Sequence, residues 1–240
     1  MKHLLIASAG IGSVLGIGSA SAADVSAAFK SAPVMAPAYS WTGCYIGSHG
    51  GGSAFRNTLV GTWSDGGLFG GEVGCNYQID YLVVAIEGEG SWSGVKSTTN
   101  VATGFGPSAA ATTFQNDWDA DIAARFGVAY SRFFSFGKIG AWWGNQKFTA
   151  VASGPGGGTV TGEATSLGIF WGIGLEYGFT PQWTAKFEFD YIHFAATDIT
   201  LTCNGPAVVG MCGTPLGTGT MINSTNTFAI VGKSGINYRF

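Results

Sequence analysis

From Tyr39 onward the chain shows a period of two, segment by segment: apolar side chains recur at every second position, and the charges well inside each segment lie on the opposite face. A period of two marks a β-strand, whose successive side chains point to opposite sides. In residues 68–79, Phe69, Val73, Cys75, Tyr77 and Ile79 oppose Glu72, Gly74, Asn76 and Gln78. After Asp80, Leu82, Val84, Ile86 and Trp92 alternate with Ala85, Glu87, Glu89 and Ser91. Residues 117–130 set Trp118, Ile122, Phe126 and Tyr130 against Asp117, Asp119, Asp121 and Arg125. Residues 134–148 are apolar on both sides, with Ile139 and Trp143 opposite Lys138 and Trp142. Leu167 to Phe179 form an apolar face opposite Ser166, Gly172 and Glu176. Phe187, Phe189 and Tyr191 alternate with Lys186, Glu188 and Asp190. In the last segment, Ile230, Ile236, Tyr238 and Phe240 oppose Lys233, Asn237 and Arg239. With the glycine-rich segment 41–54 in front, the count is eight strands.

Fourteen charges obey the rule: Glu72, Glu87, Glu89, Asp117, Asp119, Asp121, Arg125, Lys138, Glu176, Lys186, Glu188, Asp190, Lys233 and Arg239. Lys147 and Glu163 break it, at strand ends. A water-soluble sandwich also alternates, with the polar face outward. Three features favour a membrane instead. The segments are about ten residues or longer, the length of a tilted membrane strand. A soluble core would have to enclose very many Trp and Phe from one sheet surface. The aromatics collect toward strand ends, as at a membrane interface. Connections near residues 80, 131–132 and 180–181 are short; those at 55–66, 93–114, 150–162 and 196–223 are longer and rich in Gly, Ser and Thr. Short turns on one side and long loops on the other suit an outer-membrane barrel. The expected fold is all-β: an eight-stranded antiparallel up-and-down transmembrane β-barrel, its polar face turned into a lumen filled by side chains.

The chain starts with Met1-Lys2-His3, a Gly-broken apolar run and Ala20-Ser21-Ala22, which reads as a signal peptide over residues 1–23. Residues 24–38, rich in Ala, Ser and Pro, read as a periplasmic lead-in, and 39–240 as the barrel. Export implies an oxidising compartment. Cys203 and Cys212 share one Gly- and Pro-bearing loop and are candidates for a disulfide; Cys44 and Cys75 either pair or simply face lipid. No Cys or His spacing points to a metal or cofactor. A net charge of −3 with scattered bases argues against nucleic acid. After the signal the histidines are His49 and His193; neither sits in a catalytic pattern, so no catalytic residues are assigned.

Several motifs carry a family resemblance. Ser40-Trp41-Thr42-Gly43-Cys44-Tyr45-Ile46-Gly47 resembles the "WTGFYIG" opening of small outer-membrane immunogenic, porin-family barrels of alpha-proteobacteria. Gly70-Gly71-Glu72-Val73-Gly74-Cys75-Asn76-Tyr77-Gln78 and Val84-Ala85-Ile86-Glu87-Gly88-Glu89 are similar to their second and third strands. Residues 137–142 and 183–191 match later ones. Cys44 and Cys75 stand where that pattern has aromatics. The resemblance implies a Gram-negative outer-membrane location, contact with lipid, and a non-enzymatic role in the envelope and as a surface antigen displaying four loops. Ile236, Tyr238 and terminal Phe240 resemble the signal read by the barrel-assembly machinery. The alternatives are a small pore and an adhesin whose loops bind a host or surface ligand of unknown nature.

Overall fold

The computed structural model describes residues 39–57, 62–102, 109–153, 157–205, 212, 216–223 and 228–240. The expected signal peptide and lead-in lie outside these residues. The strands are β1 (Gly43–Asn57), β2 (Thr62–Ile79), β3 (Leu82–Ala102), β4 (Ala109–Tyr130), β5 (Phe133–Ser153), β6 (Gly158–Gly178), β7 (Trp183–Phe194), β8 (Thr197–Asn204), β9 (Leu216–Asn223) and β10 (Phe228–Arg239). All pairings are antiparallel. Each of β1 to β6 pairs with the next, β7 pairs with β10, and β10 returns to β1. The ring therefore has eight staves and no open edge, the condition for crossing a bilayer with strands.

β8 and β9 are not extra staves. β7 leaves β6 at Phe194↔Gly168, and β8 resumes on β6 at Leu201↔Gly162, one residue out of step. The pairs Thr197↔Asn223 and His193↔Phe228 show the same offset between the β8–β9 and β7–β10 ladders. β8 and β9 thus continue the last two staves beyond the lipid.

The expected long loops are corrected here. Most of 93–114 and 150–162 is strand, and 196–223 contains a hairpin. Once two staves pair, the ladder continues upward wherever the residues tolerate extended backbone, as the Thr-rich pairs Thr98↔Thr113 and Thr99↔Thr112 do. The turns at the other end are tight: residues 80–81, 131–132 and 179–182. Asp80 and Ser131 adopt φ of 54° and 53°, the left-handed conformation that short hairpin turns demand.

The large exposed apolar residues, among them Phe69, Ile86, Ile169, Ile173 and Phe187, point outward. So broad an apolar exterior has its natural solvent in hydrocarbon. Aromatics bound it on both sides. Toward the loops, Trp171, Tyr191, Phe228 and Trp63 form a ladder of ring contacts at 4.7, 5.3 and 5.7 Å. Toward the turns, Phe133 meets Tyr177, and Tyr238 meets Trp183 and Phe240.

Candidate functional site

The polar faces converge on the lumen, which is built in three layers. Nearest the turns, Trp41, Val83, Ala129, Phe134 and Phe136 form an apolar layer with Tyr39 against it. Trp41 belongs to this layer rather than to the first strand, as the sequence had suggested. Its indole N–H donates to the Ser131 carbonyl at 3.2 Å, and its amide donates to Gln78 Oε1 at 2.6 Å. Arg239 fastens the incoming chain, donating to Tyr39 Oη and to the carbonyls of Ser40 and Thr42. Toward the loops, Phe55, Leu68, Val95, Ala123, Trp142, Phe170, Ile192, Phe194, Ala229 and Val231 form the second apolar layer. Phe55, Trp142 and Phe194 are in mutual ring contact at 4.9 to 6.4 Å.

Between the two apolar layers lies a buried ionic cluster. Arg125 binds Glu87 at 2.9 Å and Glu176 at 2.7 Å, donates to Tyr45 Oη, and stacks 3.9 Å over Phe136. Lys138 touches Glu188, Glu89 and Glu87 at 2.9, 3.0 and 3.1 Å. Lys186 lies 2.7 Å from Glu89, 2.8 Å from Glu72, 3.3 Å from Glu188 and 3.4 Å from Glu87. Lys233 holds Glu188 and Asp190, each at 3.0 Å, and also contacts Glu89. Thr184 and Asn237 donate to Glu176. Shared partners are what make such a cluster tolerable at low dielectric, since each buried charge needs a counter-charge and hydrogen bonds. Inward glycines make room: a Cβ on Gly172 would fall 1.9 Å from Asp190 Oδ1, and one on Gly174 2.2 Å from the Phe136 ring.

Asp119 lies at the loop-side margin of the cluster, accepting from Asn116 at 3.3 Å, and Asp121 sits 3.7 Å from Lys138. Asp117 is a correction. The register of β4 on β5 shifts between Asn116 and Asp119, which takes Asp117 off the inward face. It pairs instead with Lys147 at 2.5 Å, on the loop-side rim. That ammonium holds the Asp117 carboxyl below its usual range.

The partners of His49 are not legible in the sequence. This residue is buried in the lumen, with Nδ1 2.8 Å from Glu72 Oε2 and Nε2 2.9 Å from Ser91 Oγ. The three sit on consecutive staves, so only the β1–β2–β3 register brings them together. The connectivity is that of an acid, a base and a hydroxyl nucleophile. However, the same Glu72 oxygen is also bound by Lys186. The void toward the loops, lined by Ser53, Asp119, Asp121, Asp190 and Lys233 beneath Trp142 and Phe170, measures about 10 Å³, room for one water. His193 faces outward. Among the described residues, His49–Glu72–Glu89 and Glu87–Glu89–Glu188 are close enough to share a metal ion. In both, Lys186 already binds the carboxylates from 2.7 to 3.4 Å, supplying the positive charge a metal would bring.

A closed eight-stave ring with an apolar exterior and a charged interior defines a class of protein that the comparisons make specific. The family described as outer membrane protein beta-barrel domain matches residues 14–204. The chain belongs to that family. The 31 kDa outer-membrane immunogenic proteins of Brucella melitensis and Brucella suis are each 31% identical to this barrel over 193 residues, spanning 72% of this chain and 80% of theirs. The solved structure of Ail, the attachment invasion locus protein of Yersinia pestis, covers 84% of the chain and all of its own, at 13% identity and a TM-score of 0.48. The protein is an outer-membrane β-barrel of a Gram-negative envelope, related to outer-membrane immunogenic proteins.

Ile236, Tyr238 and Phe240 lie on the exposed face of the barrel's closing strand. Cys44 and Cys75, left open by the sequence, are bonded across β1 and β2; Cys203 and Cys212 are bonded within the β8–β9 region.

Proposed function

We propose that this barrel is a non-enzymatic structural component of the outer membrane that displays its loop-side hairpins as surface antigen. The observation that carries the reading is the stacking of the lumen: an ionic cluster between two apolar layers, with Trp41 and Phe134 on one side and Phe55, Trp142 and Phe194 on the other. Ions crossing such a lumen would have to part aromatic contacts and break shared ion pairs, which favours a filled barrel over a pore. Among the described residues, the void on the luminal side near the Glu72–His49–Ser91 set holds about one water, which favours a packing role for the set. Purified protein in planar bilayers is expected to give no stable, ion-selective current; such a current would overturn the proposal. Antibody binding to intact cells would test display.

A second reading, adhesion, is favoured by the hairpins themselves. β3, β4, β5, β6 and the β8–β9 pair carry the wall well past the aromatic belt, and Cys203 near the end of β8 is bonded to Cys212 in the connection to β9. Deleting residues 197–223 and measuring cell adhesion separates the readings, since a purely structural barrel loses none. In either case, we propose the barrel-assembly machinery as the partner in biogenesis, recognising Ile236, Tyr238 and Phe240.

A further inference from the structure

The β1–β2 hairpin has the least side-chain information in the ring. Gly47, Gly50, Gly51 and Gly52 on β1 run against Gly66, Gly67, Gly70, Gly71 and Gly74 on β2. On the outward face of β1, Ser48, Gly50, Gly52 and Ala54 follow Ile46. Glycine-rich strands specify register weakly, because few side chains interlock across them. A slide by two residues keeps both faces correct and costs little within the hairpin itself. For the barrel it is ruinous. It would carry His49 away from Glu72 and Ser91, and Tyr45 away from Glu87 and Arg125. β1 also receives the closing strand, from Tyr45↔Arg239 to Arg56↔Phe228, and the Phe240 amide donates to the Cys44 carbonyl. An error in the first hairpin would therefore be copied into the seam.

One pair of side chains removes the ambiguity. Cys44 and Cys75 stand directly opposite each other at the turn-side end of this ladder, and they are bonded. A covalent bond between opposed residues admits a single register.

We propose that the Cys44–Cys75 disulfide is an assembly device: it forms in the periplasm, sets the register of the β1–β2 hairpin before β10 closes on β1, and makes insertion of this barrel depend on thiol oxidation. The chemistry is a two-electron exchange with a disulfide-bearing thiol oxidase. One cysteine thiolate attacks the oxidase disulfide to give a mixed disulfide. The other thiolate then attacks the chain's own sulfur, the S–S bond forms, and the oxidase leaves as a dithiol carrying the two electrons. The two thiol protons pass to the oxidase or to water.

The test is the amount of heat-modifiable protein, the form that migrates differently before and after boiling, in outer membranes of a Gram-negative host. Full-length chain carrying Cys44→Ala and Cys75→Ala is expected to lose most of this form. Wild type is expected to lose it in a host lacking the thiol oxidase, whereas Cys203→Ala with Cys212→Ala keeps it in a normal host. Rescue separates register from simple cross-linking. Gly50 and Gly52 face outward with room for a side chain, the nearest atoms to a Cβ lying 3.7 and 3.6 Å away. Gly50→Val with Gly52→Val should restore the folded form in the Cys44→Ala/Cys75→Ala background by giving the hairpin side chains to align. Wild type reduced after assembly should stay heat-modifiable. The proposal is overturned by wild-type yield from the double alanine variant, by failure of the valines to rescue, or by loss of the folded form on reduction after assembly.

Discussion

Lys186→Met asks most of the luminal cluster. Its ammonium is buried and lies within 3.4 Å of Glu72, Glu87, Glu89 and Glu188, on three different staves. Methionine fills similar space and leaves the four carboxylates one positive charge short. Glu72 suffers most, because its other ionic partner is His49 alone, whereas Glu87, Glu89 and Glu188 keep Lys138. Removing one partner from a buried charge group costs about 3–5 kcal/mol. At roughly 2–4 °C per kcal/mol for a domain of this size, Tm should fall by about 10 °C or somewhat more. Adding Glu72→Gln removes the stranded charge and should recover about 1–2 kcal/mol, the cost of leaving a buried acceptor unmatched. Far-UV circular dichroism in detergent, with heat-modifiable gel migration as a second readout, gives the midpoints. A Lys186→Met midpoint within the roughly 2 °C expected of a surface change would refute the claim that the cluster stabilises the barrel.

The exposed pair behaves oppositely: Lys147→Ala should leave Tm at pH 7 unchanged, because Lys147 and Asp117 are screened by water. Since Lys147 depresses the Asp117 pKa, whatever small contribution this pair makes is present above the usual aspartate range and fades as pH falls through the lowered value; any difference between wild type and Lys147→Ala should close there on acid titration. Gly51→Ala should block closure, since a Cβ would lie 2.0 Å from the Gly232 carbonyl oxygen, whereas neighbouring Gly52→Ala, with 3.6 Å of clearance, should assemble normally; the heat-modifiable fraction decides. Phe55→Ala with Trp142→Ala thins the loop-side apolar layer; with each lost ring costing about 3–5 kcal/mol before relaxation, Tm should drop by more than about 10 °C. If that variant stays electrically silent in bilayers, the ionic cluster and the turn-side apolar layer suffice to close the lumen.

The parts of the architecture legible in the sequence are those that touch lipid. Between the two aromatic belts, one face of each stave must be apolar and the other must suit the lumen, so the alternation of Phe187, Phe189 and Tyr191 with Lys186, Glu188 and Asp190 follows directly from the surroundings. Beyond the belt that demand ends. Residues 97–102 and 109–114 remain strand, yet neither face needs to be apolar, so they read as loop from composition alone. Asp117 was misplaced for a related reason: parity counting assumes an unbroken ladder, and the shift at Asn116/Asp119 exists only in the pairing of β4 with β5. The Glu72–His49–Ser91 contact was invisible because its three residues belong to staves whose mutual register is poorly encoded by glycine. Trp41 entered the lumen without any periodic signal, being fixed by Gln78 and Ser131 from two separate turns. In this chain a period of two is therefore plainest where lipid lies on one face, and returns beyond it only where an apolar face is buried, as at Ile199, Leu201 and Cys203 of β8. Where the lipid stops, or where glycine replaces side chains, register comes from pairing partners and from the bond between Cys44 and Cys75.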